Sequence, residues 1–214
     1  MKNIILIICL LIGQNSFGQA NDKISSRFEI DETIKNKAEE KISESEFGGL
    51  FEDLFLVYDN LMMVDYFEND SLVMSTKNEE RKGPFKSFFC SQNDTLAISG
   101  VYGLFGGFGF LIKVIHNKPI VHHVLLGDEF PIYSKTKNGE LKFMIEVPCT
   151  KTKVILSKQP ELKEGEIIYG FVEFESDEYY QSGGSVDGKE IEERKKIRMN
   201  MTVYFKSKYI DQEK

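Results

Sequence analysis

Residues 196–206 constrain the fold more than any other stretch of this chain. Ile197, Met199, Met201, Val203 and Phe205 alternate there with Lys196, Arg198, Asn200, Thr202 and Tyr204. Period two held over that length predicts a β-strand with one face in a core and one in water. The preceding hundred residues repeat the signal in shorter pieces. Residues 95–101, 107–115, 119–126, 141–147, 153–156 and 166–175 each read as strands, separated by turn residues. Asn138-Gly139 marks a tight hairpin joining 132–135 to 141–147, with Leu141, Phe143, Ile145 and Val147 on one face. The segment 160–165, opened by Pro160 and closed by Gly165, is a break. No βαβ alternation occurs, so a parallel α/β sheet is not expected. The fold class predicted is mainly β: an antiparallel sandwich or open barrel with a small N-terminal helical segment.

That helical segment is expected near residue 31. Ile30, Ile34, Ala38 and Ile42 recur every four residues, Asp31 offers an N-cap, and Gly48-Gly49 a stop. Leu50, Phe51, Leu54, Phe55, Tyr58, Leu61 and Met62 also fit helical spacing, although the run contains β-formers. We read it as a short helix or irregular segment followed by a hairpin turning at 67–72. Residues 78–84 form a charged link, and 181–188, rich in Gly and Ser, a loop between the last two strands.

The first residues have a separate role. Lys2 precedes an apolar core at 4–12 and a polar stretch ending in Ser16-Phe17-Gly18. This is the layout of a secretory signal peptide cut before Gln19. The core is shorter than the ~20 residues of a bilayer span. The expected organisation is 1–18 signal, 19–90 charged lead-in and hairpin, and 91–214 β body. Removing 18 of the 214 residues leaves 196. Only Lys2 is charged among those removed, so net charge passes from -7 to -8. Cys9 leaves too, and the remaining pair, Cys90 and Cys149, is expected to form a disulfide in an oxidising compartment. The destination expected is secreted or periplasmic.

Composition bounds the function. Charged residues make up 29% and mean hydropathy is -0.28, unlike a multi-pass membrane protein. Seventeen Phe and nine Tyr set the chain apart from a disordered one. The acidic balance disfavours nucleic acid, whose non-specific affinity depends on phosphate neutralisation.

Three local features invite a chemical reading. Gly100, Gly103, Gly106, Gly107 and Gly109 interleave with Tyr102, Phe105, Phe108 and Phe110. No Lys-Ser/Thr follows to make a phosphate loop, so two strands and a glycine turn are expected. The uncharged run 96–112 leaves membrane insertion as an alternative. His116, His122 and His123 are the only histidines. A turn at 117–118 would pair Ile112 with His123 and put His122 on the opposite face. His116 would then sit about 13 Å from His123, too far to share a metal ion. A metal site would need another register and carboxylates such as Asp128 or Glu129. Glu173, Glu175 and Asp177 alternate about 6.6 Å apart. That is near the lower limit for the carboxylates of an inverting glycosidase, and Tyr179 and Tyr180 beside them could stack on a sugar.

No nucleophile motif and no family signature appears. The sequence therefore predicts an exported, non-enzymatic module without a cofactor, binding a protein, glycan or envelope component. The loops 103–107 and 176–189, with Tyr102, Phe105, Phe108, Tyr179 and Tyr180, are the expected contact surface. A glycan hydrolase using Glu173 and Glu175 is the alternative.

Overall fold

The structure, a computed structural model, describes residues 27–42, 57–58, 61–76, 85–92, 95–103, 106–116, 118–128, 130–186, 189–190 and 192–211. The proposed signal peptide, the run 50–56, the link 78–84, Phe105 and Glu129 lie outside the described residues.

The fold is mainly β. The strands are β1 (Arg27–Ile30), β2 (Val57–Tyr58), β3 (Leu61–Glu68), β4 (Ser71–Ser75), β5 (Phe85–Gln92), β6 (Thr95–Tyr102), β7 (Gly107–Ile115) and β8 (Lys118–Leu126). They continue with β9 (Tyr133–Ser134), β10 (Met144–Leu156), β11 (Ile167–Ser176), β12 (Tyr179–Gln181), β13 (Ser185–Val186), β14 (Lys189–Glu190) and β15 (Lys195–Tyr209). One helix, α1 (Thr33–Lys41), interrupts them among the described residues. Its buried stripe is Ile34 and Ala38. The N-cap is Glu32, which makes no side-chain capping bond; Asp31, the expected cap, lies one residue earlier and accepts from the Thr33 backbone N–H at 2.9 Å and the Thr33 hydroxyl at 2.7 Å. Ile30 is not part of the helix but ends β1, paired in parallel with β10.

Thirteen strands form one sheet, and β13–β14 is a separate hairpin. The main path runs β5–β6–β7–β8–β10–β11–β15, and β15 also pairs with β5. The pairings therefore form a circuit of seven strands. The sheet is mixed, not wholly antiparallel: β1–β10 and β5–β15 are parallel.

The predicted alternation of β15 is present along its length, with Ile197, Met199, Met201, Val203 and Phe205 all buried. Its partners present matching faces: Val172 and Phe174 of β11, Met62 and Val64 of β3. The same face carries Phe85, Phe89, Ile98, Phe110, Ile112 and Leu156. Phe85, Phe110 and Phe205 lie side by side, with centroids 6.0 and 5.1 Å apart. Glycines make room for them. A Cβ on Gly100 would lie 2.3 Å from the Phe85 ring, and one on Gly170 2.3 Å from the Phe205 ring.

Three local expectations are corrected and one is met. Leu61 and Met62 belong to strand β3, not to a helix, because β15 supplies a partner along its full length. The turn after β3 falls at Asn69-Asp70, both with positive φ, inside the predicted 67–72. The Asn-Gly turn forms one residue earlier than expected, around Lys137-Asn138, with the Gly139 N–H donating to the Thr136 carbonyl at 3.0 Å. Its arms share a single bridge among the described residues, Tyr133 to Lys142, and β9 pairs instead with β12. Phe143 is thus exposed and does not continue the face of Ile145 and Val147. Finally, β10 bulges between Thr150 and Lys153, with Lys151 at φ 48°. One added residue reverses the alternation. Core positions pass from Ile145, Val147 and Cys149 to Val154 and Leu156.

Gly170→Ala is expected to destabilise the fold by about 1–3 kcal/mol, the usual range for overpacking. Phe205→Leu in the same chain should recover part of that loss. Denaturant midpoints of the four members of this cycle measure it, and strictly additive effects would contradict the proposed contact.

Candidate functional site

Strand direction decides which loops meet. β6, β8, β11 and β3 run one way, and β5, β7, β10 and β15 the other. The turn after β6, the segment between β8 and β10, the segment between β11 and β15 and the Asn69-Asp70 turn therefore share one end of the sheet. The described residues of both predicted contact loops lie there.

The polar part of this end is built on β12. Tyr179 pairs with Ile197 and is buried among Leu125, Ile145 and Val147. Tyr180, one residue on, points to the other face and pairs with Lys196. It is half-buried and lines a cavity of about 360 Å³ with Asn69, Lys137, Glu193, Arg194, Lys195 and Lys196. Each cation of this cleft has a carboxylate partner. Lys137 meets Glu193 at 2.6 Å, Lys195 meets Glu68 at 3.1 Å, and Lys196 meets Asp70 at 2.7 Å and Glu178 at 3.2 Å. Arg194 makes a bidentate pair with Glu190, both contacts 2.7 Å. Its other nitrogen donates to Ser134 Oγ at 3.1 Å and to the Gly139 carbonyl at 2.5 Å. One guanidinium thus fastens the segment before β15 to the Asn-Gly turn. The hydrogen bonds with Glu193 and Asp70 push the Lys137 and Lys196 ammonium groups up, and those from Lys137 and Arg194 hold Glu193 and Glu190 down.

The apolar part is Phe130 and Phe143, 63% and 51% exposed. Their backbones converge on Gly127, whose N–H donates to the Phe143 carbonyl at 2.6 Å.

The other predicted residues do not line this cleft. Tyr102 and Phe108 face each other at 5.8 Å and pack on the main core. Glu173 and Glu175 share a face, opposite Thr202 and Asn200. Glu175 is bound by Lys151 at 2.9 Å, with Arg198 at 4.0 Å. The predicted disulfide is absent: Cys90 and Cys149 are both buried and neither is disulfide-bonded. They belong to opposite faces of the sheet, Cys90 with Phe88, Ala97 and Leu111, Cys149 in the main core. A bridge needs Cα atoms within about 7 Å and side chains pointing at each other.

The histidines are dispersed. His116 occupies the β7–β8 turn at φ 48°. The register is two residues from that expected, with Ile112 opposite Val121, but His122 and His123 do take opposite faces. His122 lies on the face of Lys113 and Glu146, whose side chains meet at 3.1 Å. His123 is fully buried among Phe108, Phe174 and Tyr179. Its Nδ1 lies 2.9 Å from the Gly109 carbonyl, which can only accept, so Nδ1 carries the proton. Nε2 has no partner. Burial pushes the imidazoles of both His122 and His123 down to about 4. Among the described residues no three His, Cys, Asp or Glu side chains converge as a metal site would require. No described helix is long and apolar enough to cross a membrane.

No protein-family model matches the chain, and no curated protein or solved structure is detectably similar to it.

Asn69, Lys137, Glu190, Glu193 and Arg194 escaped sequence reasoning. The only local signals were the Asn-Gly turn and the four-residue spacing of Glu190 and Arg194. What joins them is pairing between distant strands.

Two measurements test these assignments. Neither thiol should react with Ellman's reagent in the folded protein, and both should react at once in denaturant. Burial also pushes the Cys149 thiol up, away from thiolate. A bridged pair in the purified protein would reject the assignment. Separately, the folded pKa of His123 lies below its unfolded value of about 6.5, so the unfolded chain binds more protons in between. Stability is complete above about 6.5 and falls as pH drops towards 4. The loss between pH 7 and pH 5 should be about 2 kcal/mol from His123, with His122 adding in the same direction. Denaturant midpoints should fall accordingly, and His123→Leu should flatten the slope.

Proposed function

We propose that this protein is an exported, non-enzymatic binding module. Its seven-strand circuit is a β-barrel closed by the β5–β15 contact, and it holds a protein, glycan or envelope component outside the cytoplasm. The observation that carries this reading is the division of labour along the strands. The face bearing Phe85, Phe110, Phe174 and Phe205 is filled by side chains, leaving that interior no room for a carried ligand. The two longest connections of the circuit, 127–143 and 177–194, and the exposed Phe130 and Phe143 lie at one end, while the shorter connection 157–166 and a cavity of about 810 Å³ beside α1 lie at the other. Glu173 and Glu175 lie in the sheet, away from that end's cleft, and Glu175 is already neutralised by Lys151. This favours binding over glycan hydrolysis. The apolar side chains of 96–112 that a membrane would need, Ile98, Phe110 and Ile112 among them, are in the core.

The test uses full-length chain expressed with its own leader and recovered by fractionation. The protein should appear in the extracytoplasmic fraction and co-sediment with cell envelopes. The double substitution Phe130→Ser, Phe143→Ser should weaken co-sedimentation at least about tenfold, as expected for two contact aromatics. Glu173→Gln with Glu175→Gln should behave as wild type. Retention in the cytoplasm, equal co-sedimentation of the Phe variant, or release of reducing sugar from envelopes would each overturn the reading.

A further inference from the structure

We propose that the cleft around Tyr180 is a binding site for a neutral saccharide. The inference rests on the binding-module reading and names the ligand class for that end of the sheet.

The cleft joins one aromatic ring to a ring of hydrogen-bonding groups of both signs. Tyr180 is half-buried in a wall made by Asn69, Lys137, Glu193, Arg194, Lys195 and Lys196. Its neighbour Tyr179 is anchored in the core, against His123 and Tyr133, so the backbone that presents Tyr180 is fixed. The cavity of about 360 Å³ is at the small end of ligand clefts, which span roughly 300–1,000 Å³.

Charge selects the ligand. Four cations reach the cleft, a number that would ordinarily suggest phosphate or sulfate. Here Glu68, Asp70, Glu178, Glu190 and Glu193 already hold them. An anion would have to compete with five carboxylates and would be repelled by those it failed to displace. A purely apolar ligand would strip water from both signs with no return. A pyranose answers both constraints. Its hydroxyls accept from Lys and Arg and donate to carboxylates in the same plane, and its C–H face lies on an aromatic ring. Tyrosine suits that role, because it offers a rigid apolar face with a polar tip at small entropic cost. Arg194 acts as a positioning residue: its bonds to Glu190, Ser134 and Gly139 hold two walls of the cleft together.

Isothermal titration of the exported protein with soluble cello-, chito-, xylo- and malto-oligosaccharides tests the proposal. At least one of these series should bind with a dissociation constant in the millimolar range or tighter. Tyr180→Leu should weaken that binding at least about tenfold, equivalent to about 1.4 kcal/mol. Tyr180→Phe, which keeps the ring, should stay within about threefold of wild type. A thermal melt of each variant shows that it is folded. Three results would overturn the inference: no neutral oligosaccharide binds; folded Tyr180→Leu binds as well as wild type; or the cleft instead takes heparin fragments or polyphosphate with a steep salt dependence. Envelope co-sedimentation that persists and still depends on Phe130 and Phe143 would locate such a failure in the saccharide assignment alone. Loss of both would remove the binding-module reading with it.

Discussion

Every other part of this fold depends on the register of β15. Its fifteen residues (Lys195–Tyr209) pair with β11 and β12 along one edge and with β3 and β5 along the other. Four strands thus take their position from one. Side chains alternate strictly along a strand, so a slip by one residue would expose Ile197, Met199, Met201, Val203 and Phe205 together. Burying a side chain of that size is favourable by about 1.5–3 kcal/mol, and no polar residue on the other face could offset several such losses. Phe205 adds a steric condition. Its ring occupies the space left by Gly170, so β11 fits against β15 in one register only.

The same rigidity decides where function can be placed. A sheet filled by aromatic rings on its main face leaves variable chemistry to the connections. Those connections are tied down by electrostatics where apolar contacts are scarce. Arg194 bonds to Glu190, Ser134 and Gly139, and Lys196 bridges the Asn69-Asp70 turn to Glu178, just before β12. Exposed pairs of this kind contribute little to global stability, a median near 0–1 kcal/mol each. Their geometric effect is larger, because they hold loops that would otherwise pay the entropy of ordering on binding.

How much of this was legible depends on whether the signal is local. The alternation of 196–206, the glycine-joined strands of 95–115 and the turn at 69–70 are written in neighbouring residues, and the fold contains them. Non-local facts were not legible. Leu61 and Met62 fit a helical spacing until β15 is there to pair with them. The bulge at Lys151 hides the continuity of β10, because it turns one alternating strand into two of opposite phase. Cys90 and Cys149 make an even pair by count, yet sheet pleating sends them to opposite faces. The cleft was least legible of all. Its residues come from four places in the chain, and only Tyr180 had been singled out, for a chemical reason that did not require knowing its neighbours.

The position of the cleft follows from the strand that organises the core. Arg194, Lys195 and Lys196 immediately precede or begin β15, and Ile197, the first fully buried residue of that strand, comes next. Within four residues the chain passes from the cleft wall to the core. Tyr179 and Tyr180 repeat the arrangement on β12: one ring is in the core, and the next is in the cleft. Because successive strand residues point to opposite faces, fixing the buried member fixes the direction of the exposed one. The site therefore needs no scaffold of its own. The register that assembles the core also aims the groups that line the cleft.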